Sequence, residues 1–173
     1  MPHLLLLRHA KSSWDDPSLA DFDRPLAPRG ERAAREMGKW IGKRKWRPTL
    51  VLCSTAARAV QTLDLVLAAL PKAPEVRLYK SLYLAPPSRM LRLLESQPGD
   101  AGSIMIVAHN PGMENLAAQL ARGDTAPAAR RMAEKYPTAA LAHFKLAAWP
   151  RAGRATAMLP AALKDFIRPR DLA

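Results

Sequence analysis

Leu4-Leu5-Leu6-Leu7-Arg8-His9-Ala10-Lys11 opens the chain with an apolar run that stops at an arginine and a histidine. Four consecutive leucines suit a strand covered on both faces, as in the parallel sheets of α/β proteins. Far along the chain, Ile104-Met105-Ile106-Val107-Ala108-His109-Asn110-Pro111-Gly112 repeats the arrangement, an apolar strand followed by a histidine. Two imidazoles with guanidinium groups at strand ends are what phosphoryl transfer through a covalent histidine intermediate requires.

Between and beyond these runs, strand and helix signals alternate. Residues 15 to 28, rich in Asp and Pro, read as a loop. Arg29 to about Lys45 reads as a helix with Ala33, Met37, Trp40 and Ile41 on its apolar face and Arg35, Lys39 and Lys43 on a solvated basic stripe. Thr49 to Cys53 reads as a second buried strand, and Ser54 as the N-cap of a helix running to about Leu70. Glu75 to Tyr79 is a short strand, and Pro86-Pro87-Ser88 opens a helix over Arg89 to Glu95. After the strand Ser103 to Ala108, a helix covers Glu114 to Ala121 with Asn110 as its cap, and residues 122 to 137 read as a basic, mobile segment. Ala139 to Trp149 and Ala155 to Leu159 read as two final strands, joined as a hairpin through Pro150 to Gly153.

This order predicts a single domain over residues 1–173. The expected fold is an α/β three-layer sandwich, with a mostly parallel central sheet and helices on both faces. Ligands in such folds bind beyond the carboxyl ends of the strands. Arg8, His9 and His109 fall at such ends, and Arg58 falls in the first helical turn after strand two.

Composition sets the outer limits. With 49% apolar and 24% charged residues, the 173-residue chain is long enough to bury a sizeable core. No run approaches the roughly 20 apolar residues of a membrane span. Met1-Pro2-His3 lacks the basic lead of a secretory signal, so the chain reads as cytoplasmic and without a membrane partner. The single cysteine, Cys53, excludes an internal disulfide framework and a cysteine-rich metal site, and its apolar setting reads as buried and inert. The 27 Lys and Arg against 15 Asp and Glu, with a net charge of +12, favour anionic partners without choosing among them. Nucleic acid is disfavoured, because no reading motif or aromatic stacking set accompanies the charge. The four tryptophans read as packing residues, with Trp14 also near enough to His9 to edge a pocket.

In the chemistry these residues permit, His9 attacks phosphorus through one neutral ring nitrogen while the other donates to a fixed acceptor. Arg8 and Arg58 clamp phosphoryl oxygens in fork geometry, and His109, when protonated, adds a donor. Backbone amides near Lys11 and Ser12 are candidates to complete the substrate cradle, and Asn110 is a candidate phosphate contact.

The chain resembles the histidine phosphatase superfamily, whose signature is Arg-His-Gly after the first strand, and within it the short SixA-type phosphohistidine phosphatases. The resemblance runs through Leu4 to Trp14, Asp23-Arg-Pro-Leu-Ala-Pro-Arg-Gly30, Ser54-Thr-Ala-Ala-Arg-Ala-Val-Gln-Thr62 and Val107-Ala-His-Asn-Pro-Gly112, with Leu82-Tyr83-Leu84 a weaker match. It implies that His9 is the phosphorylated nucleophile and that Arg8, Arg58 and His109 form the phosphate pocket. It also implies that no metal or organic cofactor is needed. Ala10 replaces the superfamily glycine, as in the SixA-like branch, and Thr55 stands where many members have proline.

Members that cleave phosphate esters carry a carboxylate after the third strand to protonate the leaving oxygen. Here only Glu95 and Asp100 fall between Tyr79 and Gly102, and both are poorly placed. An alkoxide leaves badly without a proton, whereas a phosphoimidazole can be protonated from water on its other nitrogen, since imidazole titrates near 6.5. The expected substrate is therefore phosphohistidine, or a similarly labile phosphate, on a protein partner. Asp15, Asp16, Asp21, Asp23 and Glu114 remain possible acids. If one of them serves, a phosphatase for small anionic phosphorylated metabolites is the alternative, and a catalytically silent phosphate-binding protein is a third reading.

Overall fold

Parallel strands β1 (His3–Arg8), β2 (Leu50–Ser54), β3 (Glu75–Tyr79) and β4 (Ser103–Ala108) lie side by side in the order β3-β2-β4-β1. β5 (Leu141–Leu146) adds antiparallel to β1, and β6 (Ala161–Ile167) adds antiparallel to β5. The sheet is thus mixed but mostly parallel, as expected. The computed structural model describes residues 1–151 and 160–173.

Leu4 to Leu7 are all fully buried because β1 lies inside the sheet, between β4 and β5. Side chains alternate across the sheet, so the run feeds two cores. Leu4 and Leu6 join Leu52, Ile104 and Ile106 under α3 (Pro87–Glu95), α4 (Gly112–Leu120) and α5 (Pro127–Glu134). Leu5 and Leu7 join Val51, Met105 and Val107 under α1 (Pro28–Gly42) and α2 (Ala57–Leu67). Each buried leucine contributes about 2 kcal/mol relative to an exposed one. Cys53 is in the second core, and burial raises its thiol pKa to about 12, which leaves it unreactive.

Several expectations need correction. Ser54 is not a helix cap: it ends β2, and α2 starts at Ala57 after an uncapped Ala56. Asn110 does not cap α4 either, since Pro111 occupies that position without a side-chain bond. The segment read as mobile contains α5, which buries Ala129 and Met132. Ala139 to Trp149 shortens to β5 at Leu141–Leu146, and a strand missed in the sequence follows at Ala161–Ile167. The expected strand over residues 155–159 lies outside the described residues. No helix among the described residues is long and apolar enough to cross a membrane.

Candidate active site

The carboxyl ends of β1, β2 and β4 bring together four residues that are far apart in sequence. His9 follows β1, His109 follows β4, and their ring centroids stand 5.0 Å apart. Arg58, in the first turn of α2, directs Nε at His9 Nε2 over 3.3 Å. Arg8, the last residue of β1, donates from Nη1 to the Tyr136 carbonyl at 2.8 Å.

The His9 tautomer follows from its partner. Nδ1 lies 2.7 Å from the Ala10 carbonyl oxygen, which can only accept, so Nδ1 carries the proton and Nε2 presents a lone pair. Burial first, then Arg58, Arg8 and Arg24, lowers the His9 pKa to about 4. His109 bonds Ser54 Oγ through Nε2 at 2.8 Å. Burial, the His9 ring and Arg58 lower its pKa to about 3, so His109 is neutral near pH 7 and has a single N–H. Arg8 Nε and His109 Nδ1 are buried with no hydrogen-bond partner among the described residues. A buried polar atom left unpaired costs about 1–3 kcal/mol, so such atoms point to a site prepared for a ligand.

The supporting structure holds both ends of the site. Ala10 N–H donates to Thr62 Oγ1, tying the loop after β1 to α2. Ala10 is fully buried, which explains why the position takes a small residue. Ala139 N–H contacts the carbonyls of both Arg8 and His9 at 3.1 and 3.0 Å, from a left-handed backbone with φ 60. Such a conformation is costly for a non-glycine residue, and strain of this kind concentrates at functional sites. A Cβ at Gly30 would collide with the Lys11 carbonyl, so this glycine lets α1 pack on the loop that carries His9.

The family follows from comparison with known proteins. Residues 4–82 match the model of the histidine phosphatase superfamily, branch 1. An uncharacterised Mycobacterium tuberculosis protein is 38% identical over 143 residues, covering 82% of this chain and 87% of that one. Among solved structures, a candidate phosphohistidine phosphatase SixA of Agrobacterium tumefaciens is similar over 98% of this chain and 99% of that one, with 30% identity and a TM-score of 0.81. A second such SixA candidate, from Nakamurella multipartitia, covers 97% and 96% at 28% identity and a TM-score of 0.82. The chain belongs to the histidine phosphatase superfamily. Its place is the SixA-like branch, and phosphatase activity is the chemistry this membership supports.

In this histidine phosphatase the weaker candidates fare unevenly. Ser12 Oγ accepts from Arg24 Nη2 at 2.5 Å, so its hydroxyl serves the loop. The Lys11 side chain lines a neighbouring cavity. Asn110 Nδ2 donates to Glu114 Oε2 and the Tyr136 carbonyl, both at 3.2 Å, which leaves its amide without a spare donor for phosphate. Trp14 is not a packing residue: it is 69% exposed, with the Arg24 guanidinium 3.2 Å over its ring.

Two residues of the pocket wall were not singled out in the sequence. Asp21 Oδ2 accepts from Arg58 Nη2 at 3.0 Å and from the Tyr83 hydroxyl at 2.5 Å, and its Oδ1 accepts from Arg24 Nη1 at 2.8 Å. The Tyr83 bond first, then Arg58 and Arg24, lowers the Asp21 pKa to about 2. Tyr83 also stands edge-on to His109 at 5.3 Å. Asp21 was visible only as one of several loop acids, and the Leu82-Tyr83-Leu84 match was the sole signal for Tyr83. Among the described residues, no three His, Cys, Asp or Glu side chains gather closely enough to hold a metal ion.

Proposed function

We propose that this protein hydrolyses phosphohistidine, or a similarly labile phosphate, on a protein through a covalent phospho-His9 intermediate. His9 Nε2 attacks phosphorus as the bond from phosphorus to the leaving nitrogen breaks, and the leaving imidazole takes a proton from water on its other nitrogen. Water then attacks the phosphorus of phospho-His9, releasing inorganic phosphate and restoring neutral His9 with its proton on Nδ1. Arg8 and Arg58 balance the charge on the equatorial oxygens. The negative phosphoryl group raises the His109 pKa, so that this ring can become a third cationic donor beside Arg8 and Arg58. No step requires a metal ion.

The observation that carries the substrate class is the state of the carboxylates. Asp21, the acid bonded to Arg58, is held ionised by three donors and has no proton to give near neutral pH. Glu95 ends α3, which runs back from the site, and Asp100 precedes β4 at the opposite end of the sheet from His109. With Asp21, Glu95 and Asp100 unable to supply a proton, the site suits a leaving group that water can protonate.

One observation favours the reading as a phosphatase for small metabolites. Glu114 is half-buried and bonded to Asn110, beside the Tyr136 carbonyl that Arg8 also contacts. The deciding experiment compares a phosphohistidine protein with alkyl and aryl phosphates, using wild type and His9→Ala with a chelator present. Phosphohistidine turnover that is lost in His9→Ala, with alkyl esters nearly inert, supports the proposal. Equal turnover of alkyl esters refutes the acid-free mechanism.

A further inference from the structure

Next to the phosphate pocket lies a cavity of about 320 Å³ whose wall includes Lys11, Arg29, Ala33, Lys135, Arg168 and Arg170. Strand register fixes its position. Leu7 of β1 pairs with Leu141 of β5, which pairs with Ile167 of β6. Arg168 and Arg170 therefore leave β6 at the sheet end where His9 leaves β1, about 10 Å or two strand spacings away. On the same wall, Pro137 and Thr138 directly precede Ala139, whose N–H bonds the Arg8 and His9 carbonyls.

The charge in this cavity is largely unbalanced. Arg168 is matched by Asp171 at 2.9 Å, and Glu134 adds a weaker field at Arg168. Lys11, Arg29, Lys135 and Arg170 have no carboxylate within 4.0 Å among the described residues. Four like charges around one concavity repel each other and focus a field that attracts anions. Between them the wall is apolar at Ala33 and Pro137, and among the described residues it presents no aromatic ring on which a nucleobase could stack. The combination fits carboxylate side chains on a partly apolar peptide better than a nucleic acid strand.

We infer that this cavity docks an acidic segment of the same protein that presents its phosphorylated residue to His9. The inference rests on the phosphoprotein reading above. At about 3.3 Å per extended residue, an Asp or Glu some three positions from the phosphorylated residue spans the gap.

The test uses full-length protein and three substrates with one bond type: free phosphohistidine, a phosphohistidine peptide flanked by Asp and Glu, and the same peptide flanked by Gln and Ser. Lys135→Glu with Arg170→Glu reverses two exposed charges that make no side-chain hydrogen bond among the described residues. Binding of the unphosphorylated acidic peptide is measured in parallel, with a single-stranded oligonucleotide as competitor. The expected result is roughly tenfold higher kcat/KM for the acidic peptide than for the neutral one, shrinking at high salt and lost in the double variant. Free phosphohistidine turnover stays within about twofold in that variant. Equal rates for the two peptides, equal losses on all three substrates, or preferential binding of the oligonucleotide would overturn the inference. If the acidic peptide binds through these charges but no phosphohistidine substrate is hydrolysed, the phosphohistidine reading fails and the docking site stands.

Discussion

Asp21 holds Arg58 by two groups at once: its backbone carbonyl accepts from Nη1 at 2.5 Å and its carboxylate accepts from Nη2 at 3.0 Å. The guanidinium is thereby turned so that its remaining Nε–H faces His9. A residue of the loop before α1 thus sets the aim of a residue on α2. The immediate neighbour of His9 is oriented by a carboxylate that is ionised and gives up no proton.

Asp21→Asn should therefore weaken the fold at the site rather than remove an acid. The amide cannot satisfy Arg58, Arg24 and Tyr83 together, yet Asp21 is nearly half exposed, so solvent screens part of the loss. The expected cost is about 1 kcal/mol. Chemical denaturation measures it, and saturating inorganic phosphate should recover part of it by binding the freed Arg58. A variant as stable as wild type would mean that Arg58 is held by other contacts.

All four histidines have pKa values lowered from 6.5, His9 to about 4 and His109 to about 3, with His3 and His143 shifted in the same direction. The unfolded chain takes up protons near pH 6.5, whereas folded His9 and His109 resist until about pH 4 and below. The unfolded state thus binds more protons in this window, so stability is full above pH 6.5 and declines as the pH falls towards 4. Denaturation midpoints at a series of pH values should show this decline beginning before the carboxylates titrate. Ring-proton resonances of His9 and His109 should stay at neutral-form positions down to about pH 5. Titration of either ring near 6.5 would contradict the burial account.

How much of this was legible in the sequence depended on whether an element's signal was local. Strands β1 and β4 announced themselves because β1 and β4 are covered on both faces and must be apolar throughout. β6 hid because an edge strand alternates, carrying Lys164 and Asp165 among its apolar residues. α5 hid because only Ala129 and Met132 are buried, while Arg130, Arg131 and Glu134 break up its short apolar pattern. Ser54 and Asn110 looked like caps because their type suits caps, but His109 in one case and Glu114 in the other took their side chains. The selection of Asp21 from several loop acids depended on a fold-level contact with Arg58, sequence separation 37, which no local pattern encodes.

Glu114→Gln separates the two substrate readings. Under the phosphohistidine reading, Glu114 only braces Asn110 at 3.2 Å, and glutamine can keep that contact through its own carbonyl. Phosphohistidine turnover should then stay within about twofold, and alkyl phosphate turnover should remain as low as before. A loss of tenfold or more confined to alkyl esters would make Glu114 a proton donor and the metabolite reading the better one.

Arg58→Lys keeps the charge and removes the geometry. Arg58 makes three directional contacts, from Nε to His9 and from both Nη groups to Asp21, while it is 4% exposed. A lysine ammonium ends in a single point charge and cannot face His9 while gripping two oxygens of Asp21. If Arg58 served only as a positive charge, the variant would retain most of its activity. If the planar fork both aims at the nucleophile and clamps the phosphoryl oxygens, kcat/KM should drop roughly 10–100-fold, towards the loss seen when an oriented transition-state donor is removed. The drop should appear in kcat as well as KM, because a misdirected donor fails most where charge develops. Steady-state kinetics on a phosphohistidine substrate, with the His9 tautomer followed by imidazole nitrogen shifts, distinguishes the two. An unchanged kcat with intact tautomer would reduce Arg58 to a source of charge.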